Sequence, residues 1–140
     1  MKWLFPAILA ASPALAADGV VTQTYDGSFE DATFSVESAI LDRGLVVDHR
    51  SHVGEMLERT RAEVGGKMLF DNADVFLFCS ATVSRQVMEA DPANIAYCPY
   101  GVFVTDHDGR VEIGYREYPA GAMDAVEELL DGIVRDALAF

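Results

Sequence analysis

Two cysteines, three histidines and a small number of methionines are the residues best suited to chemistry in this 140-residue chain. Cys79 closes the apolar run Val75-Phe76-Leu77-Phe78, and Cys98 opens the path through Pro99-Tyr100 into the run Gly101-Val102-Phe103-Val104. Each thiol thus sits at a strand end, one leaving and one entering, joined by a compact crossover. That placement suits a structural disulfide, which would stabilise the fold by about 3 kcal/mol in the chain-entropy model. A thiol-redox use of the same pair is a second reading. It needs a depressed pKa, commonly in Cys-x-x-Cys at a helix start, and that spacing is absent. Cys79 does precede a helix start at Ser80-Ala81-Thr82. A third reading is a soft-ligand metal site for copper, built from His52, Met56, Cys79 and Cys98, with His52 and Met56 four apart on one helix face. The Cys98-Pro99 dipeptide is shared with some haem-responsive proteins, but no Cys-x-x-Cys-His for covalent haem is present. No cofactor is required by any of these motifs.

The chain opens as an exported protein would. Met1-Lys2 precedes an apolar stretch from Trp3 to Ala16, and Ala14-Leu15-Ala16 is an A-x-A cleavage site. Residues 1–17 are therefore expected to be a signal peptide and residues 18–140 a single mature domain, periplasmic or secreted. That stretch is short of the roughly 20 residues of a membrane span, so no membrane association is expected after cleavage. An oxidising compartment favours a bonded cysteine pair.

Charge narrows the partners. Ten Lys and Arg oppose 23 Asp and Glu, for a net charge of −13. Loss of Lys2 on cleavage makes the mature chain one unit more negative. Such a surface repels phosphate backbones and anionic lipid, which argues against nucleic acid. Other signatures are missing: no phosphate loop follows Gly65-Gly66, no Gly-x-Ser-x-Gly elbow occurs, and Asp106-x-Asp108-Gly109 lacks the closing Glu of a calcium loop. No residues are singled out as catalytic, and an enzyme is the less favoured reading.

The elements that must position these residues alternate. Val20 to Tyr25 reads as a strand, and Ser28 as the N-cap of a helix carrying Phe29, Ala32, Val36, Ala39 and Ile40 at helical spacing. After Gly44, Leu45-Val46-Val47 reads as a short strand. Val53, Met56, Leu57, Thr60 and Val64 define a second amphipathic helix, stopped by Gly65-Gly66. Val75 to Cys79, apolar on both faces, predicts a central strand. Thr82 is expected to cap a third helix running to about Ala90. Gly101 to Thr105 and Arg110 to Arg116 flank Asp106-His107-Asp108-Gly109 as a hairpin, and Arg110 to Arg116 is expected as an edge able to pair across a two-fold axis in a homodimer. A final helix carries Met123, Val126, Leu130, Ile133, Val134, Ala137 and Leu138 on one stripe. The fold class is α+β, a mostly antiparallel sheet with helices packed on one face.

Several segments in this order resemble one family. They are Phe78-Cys79-Ser80-Ala81, Glu89-Ala90-Asp91-Pro92-Ala93-Asn94-Ile95, Cys98-Pro99-Tyr100-Gly101-Val102-Phe103-Val104 and Gly109-Arg110-Val111. Together with Arg43-Gly44-Leu45-Val46-Val47 upstream, they resemble the domain of unknown function 302 family. His52, Met56, Leu57, Arg59 and Thr60 resemble a secreted branch that also carries the two cysteines. The resemblance spans roughly Val20 to Tyr118. It implies a small α/β domain of the TATA-binding-protein-like class, often dimeric, with no agreed catalytic residues. Many members carry Asn-Pro where this chain has Ser80-Ala81. The leading functional expectation is a non-enzymatic module that binds a small molecule or assembles with a protein, stabilised by Cys79–Cys98. The alternatives are a thiol–disulfide redox protein or a copper or haem handler. A deep apolar pocket between helices and sheet would favour ligand binding over assembly.

Overall fold

The computed structural model describes residues 19–140; the expected signal peptide lies outside the described residues. Five strands form one sheet in the order β1-β5-β4-β3-β2, with every neighbouring pair antiparallel. The strands are β1 (Val20–Tyr25), β2 (Val47–Ser51), β3 (Asn72–Phe78), β4 (Tyr100–His107) and β5 (Arg110–Arg116). The helices are α1 (Phe29–Asp42), α2 (Val53–Val64), α3 (Ala81–Ala90) and α4 (Asp124–Leu138), with a 3-10 turn at Pro92–Tyr97. The α+β architecture expected from the sequence is the one observed.

Alternation builds the core. On β3, Phe76 and Phe78 are fully buried, and on β4 so are Tyr100, Val102 and Val104. Val111, Ile113 and Tyr115 of β5 complete the layer. Onto this face pack Ala32, Val36, Ala39 and Ile40 of α1, together with Val126, Leu130, Ile133 and Val134 of α4. Successive strand residues point to opposite faces, so Val75, Leu77 and Phe103 lie on the other face, where they are only half-buried. Ser28 caps α1 as expected, its hydroxyl accepting from the Asp31 amide at 3.0 Å. The β4–β5 turn also follows its sequence: Asp108 and Gly109 both take positive φ, 52° and 79°, as a two-residue hairpin of the primed type requires.

Four expectations need correction. The segment Arg110–Arg116 is not an edge, because β5 lies between β1 and β4; the free edges belong to β1 and β2. Its hydrogen-bonding groups are used on both sides, so it cannot pair across a two-fold axis. The second strand starts at Val47 and runs through Asp48-His49-Arg50 to Ser51, with a register shift between Val47 and His49. An edge strand tolerates those polar residues, whereas Val46 stays in the loop, exposed. Ser80, not Thr82, caps α3, accepting from the Val83 amide at 3.3 Å. Finally, α2 buries none of its residues fully, and Met56 and Val64 are exposed. It touches the sheet mainly at the start of β3.

That contact is close. A Cβ on Gly54 would stand 2.6 Å from the Ala73 amide nitrogen, which is backbone and cannot swing aside. Gly54→Ala is therefore expected to push α2 away from β3 and to destabilise the fold by about 1–3 kcal/mol, read as a lower urea midpoint. An unchanged midpoint would show that α2 does not press on β3.

Candidate functional site

The polar cluster that organises one end of the sheet starts from a single misplaced charge. Asp74 occupies a core-facing position on β3, in the same alternation as Phe76 and Phe78, and is 5% exposed. A buried carboxylate is costly unless its oxygens are satisfied. Two neighbours on β2 and the α2 start do this. Arg50 donates to Asp74 Oδ2 from Nε at 2.7 Å and pairs with it through Nη2, also at 2.7 Å. His52 Nδ1 lies 2.9 Å from Oδ1. The carboxylate has no proton to give, so Nδ1 is the donor and the half-exposed ring presents Nε2 outward. The Arg50 guanidinium also stacks 4.9 Å from the Phe76 ring centroid, which joins the cluster to the core.

This cluster lines a cleft of about 680 Å³ between α1, α2 and the first residues of β3. Phe29, Glu30 and Thr33 come from α1, Glu55, Glu58 and Arg59 from α2, and Asp71 to Asp74 from the entry to β3. Some of its charges are already engaged: Glu58 pairs with Arg61, and Asp71 accepts the Asp108 amide at 2.7 Å. Among the described residues Glu30, Glu55 and Arg59 have no ionic partner. The cleft offers both signs of charge and an oriented imidazole, and with seven charged residues in its lining besides His52 it is not the deep apolar pocket that would by itself favour ligand binding over assembly.

At the far end of β3 the two cysteines meet. They approach to 2.6 Å, and both are free thiols in the structure; the bond expected between them is not present. Strand ends joined by α3 and the 3-10 turn bring them together, as the sequence suggested. Burial, with the Cys98 thiol beside it, pushes the Cys79 thiol up to about 12. Its place just ahead of the capped N-terminus of α3 does not offset that desolvation. A redox nucleophile needs the opposite shift.

The four-ligand metal set is not assembled. His52 belongs to the Asn72 end of β3 and Cys79 lies beyond the Phe78 end. At 3.3 Å per strand residue, the rise from Asp74 to Cys79 is about 16 Å. His52 is committed to Asp74, and Met56 is exposed on α2. Among the described residues, no group of three or more His, Cys, Asp or Glu side chains is gathered for a metal ion. Likewise among them, no helix is long and apolar enough to cross a membrane. The sequence reading had placed His52 correctly at the α2 start but missed Asp74 and Arg50. The available signal was an Asp at a core position of an apolar alternating strand, with Arg-x-His on another strand to answer it.

With both thiols reduced, alkylation of Cys79 should accelerate about tenfold per pH unit from pH 8 until the pH nears 12, because only the thiolate reacts and the folded state suppresses it. Site-resolved mass spectrometry measures this. A rate that levels off near pH 8.5 would mean an ordinary exposed thiol.

Comparison with known proteins agrees with this architecture. The family described as "Domain of unknown function DUF302" matches residues 21–138. The crystal structure of an uncharacterized conserved protein DUF302 from Bacillus stearothermophilus aligns with a TM-score of 0.63 at 19% identity, covering 88% of this chain and 95% of that one. At that identity the likeness speaks for the fold. No curated protein matches the chain in sequence. The match across nearly all of the described residues, joined to the five-stranded sheet seen here, makes this chain a member of the DUF302 family.

Proposed function

We propose that the domain is a non-enzymatic binder of a small zwitterion, an amine and a carboxylate on one compact molecule, held in the cleft between α1 and α2. The observation that carries this reading is the buried Asp74, which fixes Arg50 and His52 on the wall of a cavity of about 680 Å³. That volume lies within the range of roughly 300–1,000 Å³ usual for small-molecule sites. Glu30 and Glu55 suit the amine. Arg59 suits the carboxylate, while the outward Nε2 of His52, whose ring proton sits on Nδ1, is an acceptor and suits the amine. Asp74 is spent on orienting its neighbours, and the Cys79 thiol is held protonated at the other end of β3.

The same reading includes export, on the strength of the opening residues, and an oxidised Cys79–Cys98 pair in the mature protein. The approach of the two thiols to 2.6 Å supports it. Exchange with a disulfide-bearing oxidant of the export compartment, which takes up the two electrons and two protons the thiols lose and leaves as a dithiol, would join the end of β3 to the entry of β4, a structural clamp rather than a catalytic couple.

Thermal unfolding of the mature protein against lysine, glycine, propylamine and propionate tests the cleft. An amino acid at 100 times its Kd should stabilise the fold by about 2.7 kcal/mol, and Asp74→Asn should abolish the shift. Stabilisation by propylamine or propionate alone, or by none of the four, would refute a zwitterion site. A separate measurement addresses the clamp. Protein isolated without reductant from an exporting host should take up no alkylating label at Cys79 or Cys98 until it is unfolded and reduced; two labelled cysteines beforehand would remove the clamp.

A further inference from the structure

The other face of the sheet carries a second recess, independent of the cleft. Its floor is Val75 and Leu77 of β3 with Phe103 of β4, and Gly101 opens the space between them. A Cβ on Gly101 would rest 3.4 Å from both the Leu77 and Val75 side chains, so the absent side chain is what leaves the floor deep. Tyr97 and Tyr118 stand at one side, ring centroids 5.7 Å apart and edge to face. The volume is about 280 Å³, just below the roughly 300 Å³ at which drug-sized ligand sites begin, so only a short ligand fits.

Arg116 marks the rim. Its guanidinium carbon lies 5.4 Å from the Tyr97 ring centre and 5.3 Å from that of Tyr118. Two aromatic rings thus fix a cation that makes no ion pair among the described residues; its one polar contact there is a long one, 3.4 Å, from Nε to the Glu117 carbonyl. Its strand neighbour Glu112 is already taken by Arg110 at 2.9 Å. In a chain of net charge −13, with carboxylates far outnumbering cations, an arginine held over an apolar floor and left without a carboxylate is a notable use of a scarce charge. Burial also raises the Tyr118 hydroxyl to about 12, with Arg116 opposing the rise, so no phenolate competes for the guanidinium at neutral pH.

We propose that this recess binds an amphiphilic monocarboxylate: a short apolar body on Val75, Leu77 and Phe103, and its carboxylate on the guanidinium of Arg116. Arginine presents a planar fork that matches a carboxylate in two parallel hydrogen bonds. The tyrosine rings pre-orient it, which lowers the ordering cost on binding. Apolar contact supplies affinity, and the charge supplies the sign preference.

Calorimetric titration of the mature protein with octanoate, octylamine and 1-octanol tests the assignment, with amide shifts of Gly101 and of Gly114, whose added Cβ would meet the Phe103 ring at 2.5 Å, locating the site. Octanoate should bind at least tenfold more tightly than octylamine and shift both glycines. Arg116→Gln should erase that preference. Gly101→Val, which fills the floor without touching the cation, should weaken octanoate at least tenfold at an unchanged unfolding temperature, and it carries the test if Arg116→Gln folds poorly. Equal affinity for the acid and the amine, octanoate affinity undiminished by Gly101→Val, shifts at Asp74 and His52 instead of at the glycines, or no octanoate binding in the millimolar range would each overturn the proposal.

Discussion

The two-residue alternation of β3 within its antiparallel ladder is the constraint on which everything else rests. Phe76 pairs with Val102 on β4 and with Arg50 on β2, while Leu77 pairs with Gly101 and His49. The first set faces the helices and the second faces away. A slip of one residue would turn Phe76 and Phe78 outward and drive Val75 and Leu77 under α1. It would also take Asp74 away from Arg50 and close the recess over Gly101. Packing of two phenylalanines thus fixes the register, and the register delivers both recesses and the meeting of the cysteines.

Charge economy separates the two faces. On the helix side, Asp74 is buried and needs Arg50 and His52 to satisfy it; removing either partner would leave a carboxylate short of hydrogen bonds in a place water reaches poorly. The cluster therefore holds its own geometry before any ligand arrives. On the open side the logic is reversed. Arg116 has no ionic partner among the described residues and is kept in position by aromatic rings that cannot neutralise it. Exposed pairs such as Arg85–Glu89 and Arg135–Asp131 are of little energetic consequence by comparison.

Much of this was legible in the sequence because it depended on local rules. Ser28 before an amphipathic run, Asp108-Gly109 between apolar strands, and the stripe from Met123 to Leu138 each specify their own element. The approach of Cys79 and Cys98 followed from strand ends on a short crossover. What was not legible depended on register. Arg50 and His52 reach Asp74 only because β2 pairs beside β3 through a bulge, starting later than Leu45-Val46-Val47 suggested. Arg116 is, from its own segment, only the last residue of a strand, and nothing local joins it to Tyr97 and Tyr118. The edge assignment for β5 failed for the same reason: β1, far away in sequence, covers it.

The cysteines also border the open face of the sheet. Cys98 follows Tyr97 and precedes Pro99, and both of those residues wall the recess beneath Arg116. Cys79 follows the strand that supplies its floor. A covalent bond between the two sulfurs would tie floor to wall at one corner, restricting the segment that carries Tyr97 without entering the recess itself. Loss of freedom there lowers the ordering cost of any ligand that needs Tyr97 and Arg116 in fixed relation. Under the two proposals above, the thiol pair would act as a brace for a binding surface. Its chemistry is kept quiet by burial, in keeping with a Cys79 thiol raised to about 12 rather than lowered toward reactivity.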